Sequence, residues 1–133
     1  MARHAPQVGK GDALLVATGW GVMWNKPGYV LQCPNMKRSA LQWVLDREIS
    51  LLGVDIPCIE ASWSEDDTKE MRRVRRRAQK GSMLRTLFER DILLLAPLVN
   101  LEETRSESGT LICLPLKLHG TSGAPCRAVF MEE

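Results

Sequence analysis

Apolar positions fall along this chain in short runs that alternate with helical stripes. Asp12 to Thr18 carries the run Ala-Leu-Leu-Val-Ala and closes on Gly19 and Gly21, which predicts a short strand buried on both faces. Asn25 to Pro34 holds Pro27, Gly28 and Pro34 and reads as an extended loop. Asn35 is placed to cap a helix whose apolar stripe is Leu41, Val44, Leu45 and Ile49. Leu51 to Ile56 predicts the next strand, which Pro57 ends.

The pattern then repeats. Ser64 followed by Glu65, Asp66 and Asp67 makes a helix start, with acids on the positive end of the helix dipole. Its stripe is Met71, Val74 and Ala78, and Gly81 breaks it. Met83 to Arg90 reads as a second helix, Ile92 to Ala96 as a buried strand, and Asn100 to Thr104 as a helical turn. After the polar loop Arg105 to Gly109, two strands, Thr110 to Leu118 and Arg127 to Met131, are joined by the turn Gly120 to Pro125. Alternating strands and helices predict an α/β domain with a mainly parallel or mixed sheet and flanking helices. Residues 1–10 read as a disordered start and 11–133 as one domain.

Composition narrows the class without naming a chemistry. A chain of 133 residues is one domain at most. Its 44% hydrophobic and 26% charged residues, with a net charge of +2, fit an ordinary soluble globular protein. The longest apolar runs, such as Ile92 to Pro97, are far too short for a bilayer, so no membrane association is expected. MARHAPQVGKGD lacks the apolar core of a signal peptide, which leaves the cytoplasm as the expected location. Cys33, Cys58, Cys113 and Cys126 form no Cys-x-x-Cys pair and have no nearby histidine, which argues against a zinc ribbon or a redox pair. Each reads as a small buried apolar residue in a reducing compartment.

Four segments, in order, carry a resemblance. They are GDALLVATGW from Gly11, LGVDIPCIE from Leu52 to Glu60, LAPLVNLEET, and PLKLHGTSGAPCRAVFM near the end. Together they resemble the cyclase family of metal-dependent amide hydrolases, whose best-known members are kynurenine formamidases. The resemblance covers nearly all of Gly11 to Glu133. It implies the later part of the swivelling β/β/α domain of that family, because the Thr-Gly-Trp turn comes mid-chain there. It also implies a reference activity, hydrolysis of N-formylkynurenine or cyclic relatives in tryptophan breakdown. A divalent metal, zinc or manganese, would lower the pKa of bound water and polarise the carbonyl.

The same resemblance exposes what this chain lacks. The family's His-x-Gly-Thr-His-x-Asp motif is absent, and the only histidines are His4 and His119. Counting back from Asn100, the positions of a further glutamate and histidine fall at about Ala96 and near Leu84. The small hydroxyl expected before the second acid is Cys58. No cofactor is therefore expected for this chain, and it reads as a degenerate domain without catalytic residues.

Four residues remain as candidates for lining a pocket. Trp20 and Trp24 could stack on an aromatic substrate, but packing in a core or subunit interface is the preferred reading. Asp55 and Glu60 follow a strand end, where open α/β sheets place their sites. Solvated loop acids are the plainer reading, since acid–base pairs need matched geometry. His119, in a turn, reads as a surface residue. The run Arg72, Arg73, Arg75, Arg76, Arg77 and Lys80 could neutralise phosphates. It lacks interleaved aromatics and is offset by the acids at 65–67, so a solvated helix face or oligomer contact is preferred over nucleic-acid binding. The expected function is that of a cyclase-family protein without hydrolysis of its own. The alternative is an interaction or regulatory subunit of a homo- or hetero-oligomer with a related subunit, since unpaired strand edges want partners.

Overall fold

In the computed structural model, the structure describes residues 7–60 and 82–132. The Arg72 to Lys80 run, the helix expected from Ser64, Trp63 and His4 lie outside the described residues. The chain divides into two compact units, one spanning Val8–Glu102 and the other built on Glu103–Glu133.

The first unit is organised on three parallel strands, β1 (Ala13–Val16), β2 (Leu51–Val54) and β3 (Leu93–Leu95), in the order β1-β2-β3. The register aligns Leu14, Leu52 and Leu94 in one row and Leu15, Gly53 and Leu95 in the next. Because side chains alternate across a strand, these rows face opposite ways. Helices α1 (Arg38–Leu45) and α2 (Met83–Phe88) supply Leu41, Val44 and Leu87 to a core with Leu52, Val54, Ile49, Ile56, Ile59 and Ile92. Leu14, Val16 and Leu94 pack against the same core. Leu52, Ile59 and Leu87 are fully buried, each contributing about 1.5–3 kcal/mol of transfer free energy.

The row containing Gly53 is built around a missing side chain. A Cβ there would lie 2.4 Å from Leu15 Cδ2 and 2.9 Å from Leu98 Cδ1. Two leucines therefore fill the space above the central strand, which only glycine leaves free.

Several element boundaries differ from the sequence expectation. Helix α1 starts from Lys37, with no side-chain cap, rather than from Asn35. The reason is that the Met36 N–H donates to the Ile59 carbonyl at 3.0 Å, tying this stretch to the chain beyond β2. The helix also stops before Ile49. Glu48 takes a left-handed backbone (φ 50°) and its carbonyl accepts from Gly11 N–H at 2.9 Å, which turns Ile49 into the core from outside the helix. The expected loop at 25–34 is a series of turns, and a short 3-10 helix, Trp20–Met23, precedes it.

The second unit is an antiparallel hairpin, β4 (Gly109–Pro115) with β5 (Cys126–Glu132), pairing Leu111 with Phe130 and Cys113 with Ala128. The expected mainly parallel or mixed sheet is thus two sheets, one parallel and one antiparallel. One face of the hairpin, with Leu111, Cys113, Cys126, Ala128 and Phe130, is half-buried, while Ile112, Leu114, Val129 and Met131 on the other are exposed. Arg105 N–H donates to Glu132 Oε1, fastening the preceding loop to the end of β5. His119 is exposed in the connecting segment.

Candidate functional site

The site is built where β1 and β2 end side by side. Just past β2, the chain places Asp55 with its side chain buried, 1% exposed. Just past β1, Thr18 meets it from the neighbouring strand. Oδ1 accepts from Thr18 Oγ1 at 2.7 Å and from the Thr18 N–H at 3.1 Å. Oδ2 accepts from the same N–H at 3.0 Å and from Gly21 N–H at 3.3 Å. Three donor hydrogens thus serve the two carboxylate oxygens, the Thr18 N–H being shared between them.

The electrostatics agree. Burial raises the Asp55 pKa, but hydrogen bonds from the Thr18 hydroxyl, the Thr18 N–H and the Gly21 N–H outweigh it and hold the carboxyl below the usual carboxylate range. Asp55 is therefore an ionised clamp. The expectation of a solvated loop acid is corrected, because the partners that desolvate and satisfy it lie 37 and 34 residues earlier in the sequence.

The clamp shapes the turn it holds. Gly19 stands at φ 83° before the 3-10 helix, a left-handed backbone suited to glycine. Gly21 is buried, and a Cβ on it would lie 3.3 Å from Glu102 Oε2 and 3.8 Å from Asp55 Cβ. Glu102, from the 3-10 helix Leu101–Glu103, thus brings a second carboxylate to this turn.

Tyr29 ties the two tryptophans to Asp55. Its hydroxyl donates to the Asp55 carbonyl at 3.1 Å, while its own carbonyl accepts from Trp20 Nε1 at 3.0 Å. Trp24 meets the Tyr29 ring edge-on, with centroids 5.2 Å apart, in the T-shaped arrangement aromatic pairs favour. Burial first, and then the charge of Asp55, push the Tyr29 hydroxyl above its ordinary pKa, so it remains a donor. Trp20 packs against the core, whereas Trp24 is 46% exposed, and Val22, Val30 and Leu31 are exposed as well.

Of the four predicted residues, Trp20, Trp24 and Asp55 are brought together around Tyr29, and Glu60 is not. Glu60 Oε1 accepts from the Met83 and Leu84 N–H groups, satisfying orphan donors in the first turn of α2 beside the Ser82 cap. It is a helix-capping acid rather than a solvated one. Sequence reading missed Thr18, Tyr29 and Glu102. Thr18 sat inside the Thr-Gly-Trp segment already singled out, and a hydroxyl directly after a buried strand was the available signal.

Leu84 and Ala96, the positions that the resemblance assigns to a histidine and a glutamate, both pack against the apolar core. Among the described residues, no three histidine, cysteine or carboxylate side chains come together in a group able to hold a metal ion. The described residues therefore do not fit a divalent metal. A surface depression lined by Ser82, Arg85, Phe88 and Glu89 involves none of the clamp residues. No helix among the described residues is long and apolar enough to cross a membrane.

Comparison with known proteins agrees with this architecture. The sequence family Cyclase, described as "Putative cyclase", matches residues 1–61, which include both halves of the Thr18–Asp55 clamp. A solved structure described as a potential metal-dependent hydrolase with cyclase activity shares the fold with a TM-score of 0.65 and 18% identity, over 93% of this chain. The chain spans about half the length of that protein, 52%. No curated protein sequence matches. The sequence match covers residues 1–61, and the solved structure shows a shared fold. Beyond residue 61 the resemblance rests on fold alone.

Proposed function

We propose that this chain is a cyclase-family scaffold without amide hydrolysis of its own, acting as an interaction or regulatory subunit. The observation that carries the reading is the clamp itself. Asp55, the acid at the strand end, gives both carboxylate oxygens to Thr18 and Gly21 of its own chain. A general base or metal ligand needs a lone pair aimed at the reacting group, and Asp55 directs its oxygens at the Thr18 hydroxyl and at the Thr18 and Gly21 N–H groups. The apolar packing of Leu84 and Ala96 supports the same reading. What the turn presents outward is apolar: Val22, Trp24, Val30 and Leu31 are exposed large side chains close in sequence. Such a group suits contact with a related subunit, where tryptophan is enriched.

The reference activity to exclude is metal-dependent hydrolysis of an aryl formamide such as N-formylkynurenine. The purified chain, incubated with that substrate and with zinc or manganese, should give no rate above a metal-only control. A protein-dependent rate that disappears with chelator would overturn the proposal.

A further inference from the structure

Register and exposure give the β4–β5 hairpin a second apolar face. Thr110 pairs with Met131, Ile112 with Val129 and Leu114 with Arg127, and because side chains alternate across a strand, these point to one side of the ribbon. Ile112, Leu114, Val129 and Met131, with Leu116 and Leu118 just past β4, are between 37% and 62% exposed. The Leu116 N–H carries the ladder one step further by donating to the Pro125 carbonyl at 3.0 Å. At about half exposure each, these side chains offer roughly 600 Å² per copy, the upper end for the largest apolar patch of a typical monomer. Two such patches joined bury about 1,200 Å², the lower bound of a specific, stable interface. A two-stranded ribbon is also marginal in water until another layer packs on it.

Charge runs along the ribbon from end to end. The turn end carries Lys117, His119 and Arg127, and residues 108–131 contain no Asp or Glu. The open end carries Glu107 and Glu132 against Arg105. Lys117, Arg127, Glu107 and Glu132 are all exposed. A ribbon of seven pairs is about 20 Å long, so its two ends cannot neutralise each other. A second copy turned end for end can.

We propose that this face binds a second copy of the chain, face to face, about a twofold axis crossing the ribbon at the Ile112–Val129 pair. That pair is the middle one of the ladder. The rotation therefore stacks Ile112 on its own copy and brings Lys117 and Arg127 of each chain to the Glu107 and Glu132 end of the other. An axis along the strands would instead set basic end over basic end, at a cost in like-charge repulsion. The same patch serves both copies, so the assembly closes at two. The inference names a partner for the interaction role proposed above, on residues separate from Val22, Trp24, Val30 and Leu31. Because the buried area is small, pairing depends on concentration; in the dilute chain the face is bare, and substitutions on it leave folding unchanged.

Sedimentation velocity of the full chain from about 1 µM to about 200 µM should show monomer giving way to dimer and to nothing larger. Ile112→Asp places two charges at the axis and should keep the chain monomeric across that range, with the circular dichroism of the dilute protein unchanged. Lys117→Glu and Glu107→Lys each set like charges together at both ends, so each should weaken pairing several-fold, and an equimolar mixture of the two should restore it. In the wild-type chain, hydroxyl-radical labelling of Met131 should fall as the protein is concentrated, while that of Trp24 stays constant. A monomer throughout, growth beyond two copies, a mixture that pairs no better than either variant alone, or a dimer with Met131 labelling unchanged would overturn the proposal. Protection of Trp24 in place of Met131 would also overturn it, while leaving the interaction role of the Trp24 turn standing; the formamide assay is independent of both. The wild-type labelling decides the matter even where Ile112→Asp fails to fold.

Discussion

Strand β2 and the β4–β5 hairpin have similar sequences and opposite surroundings. LLGVDI and GTLICLPLKL are both nearly continuous apolar runs. In β2 and the residues after it, Leu52 to Ile56 are all buried. Along the hairpin, half-buried and exposed positions alternate, and Leu114 is 62% exposed. The difference lies in neighbours. β2 has a strand on each side and helices α1 and α2 against one face, while each hairpin strand has one partner. An unbroken apolar run therefore identifies a strand without showing how many of its faces are covered. The two residues of this run that break the apolar rule, Gly53 within β2 and Asp55 just past it, are each held by neighbours from β1 or its end.

That contrast can be broken by substitution. The largest effect is expected at Asp55. Asp55→Ala leaves the Thr18 and Gly21 N–H groups and the Thr18 hydroxyl without their acceptor, and should lower unfolding stability by about 3 kcal/mol in urea denaturation. The same clamp predicts a pH dependence. The folded pKa of Asp55 lies below its unfolded value, so its contribution is present above the ordinary carboxylate range and is lost as pH falls through the folded value. Stability measured against Asp55→Asn should show a gap that is constant from about pH 7 to 5 and narrows below about pH 4. A gap that widens in acid would contradict the clamp.

Next comes Gly53→Ala. Its new methyl meets Leu15 and Leu98, and the overpacking should cost about 1–3 kcal/mol by the same denaturation measurement. An unchanged midpoint would show that both leucines relax freely. The smallest effect is expected in the hairpin, where Leu114→Thr should change stability by no more than about 0.5 kcal/mol. A loss as large as that at Gly53 would mean the exposed hairpin face is covered in solution.

Local pattern made much of the fold legible. Strands β1 to β3, helices α1 and α2 and the 3-10 turn at Leu101 fall inside segments predicted from apolar periodicity and turn residues, and β4 and β5 overlap theirs, starting one residue earlier in each case. What stayed hidden depended on contacts distant in sequence. Asn35 is a good cap by type, yet Met36 answers to the Ile59 carbonyl instead. Asp55 looked solvated because Thr18 and Gly21, its partners, belong to another strand end. Glu60 looked like its companion, though the α2 N-terminus claims it. The cysteines gave no motif because a hairpin register, not a spacing, sets Cys113 and Cys126 on one face of the ribbon.

The glycine of β2 and the carboxylate just past its end also fix which residues may lie beside which. Parallel neighbours tolerate sliding where nothing marks the alignment. Here a shift of β1 by one step would offer Ala17 to Asp55 in place of the Thr18 hydroxyl. It would also move Leu15 out of the space above Gly53. Acid and glycine thus work as two notches of a key, admitting a single alignment of the strands that carry the aromatic corner.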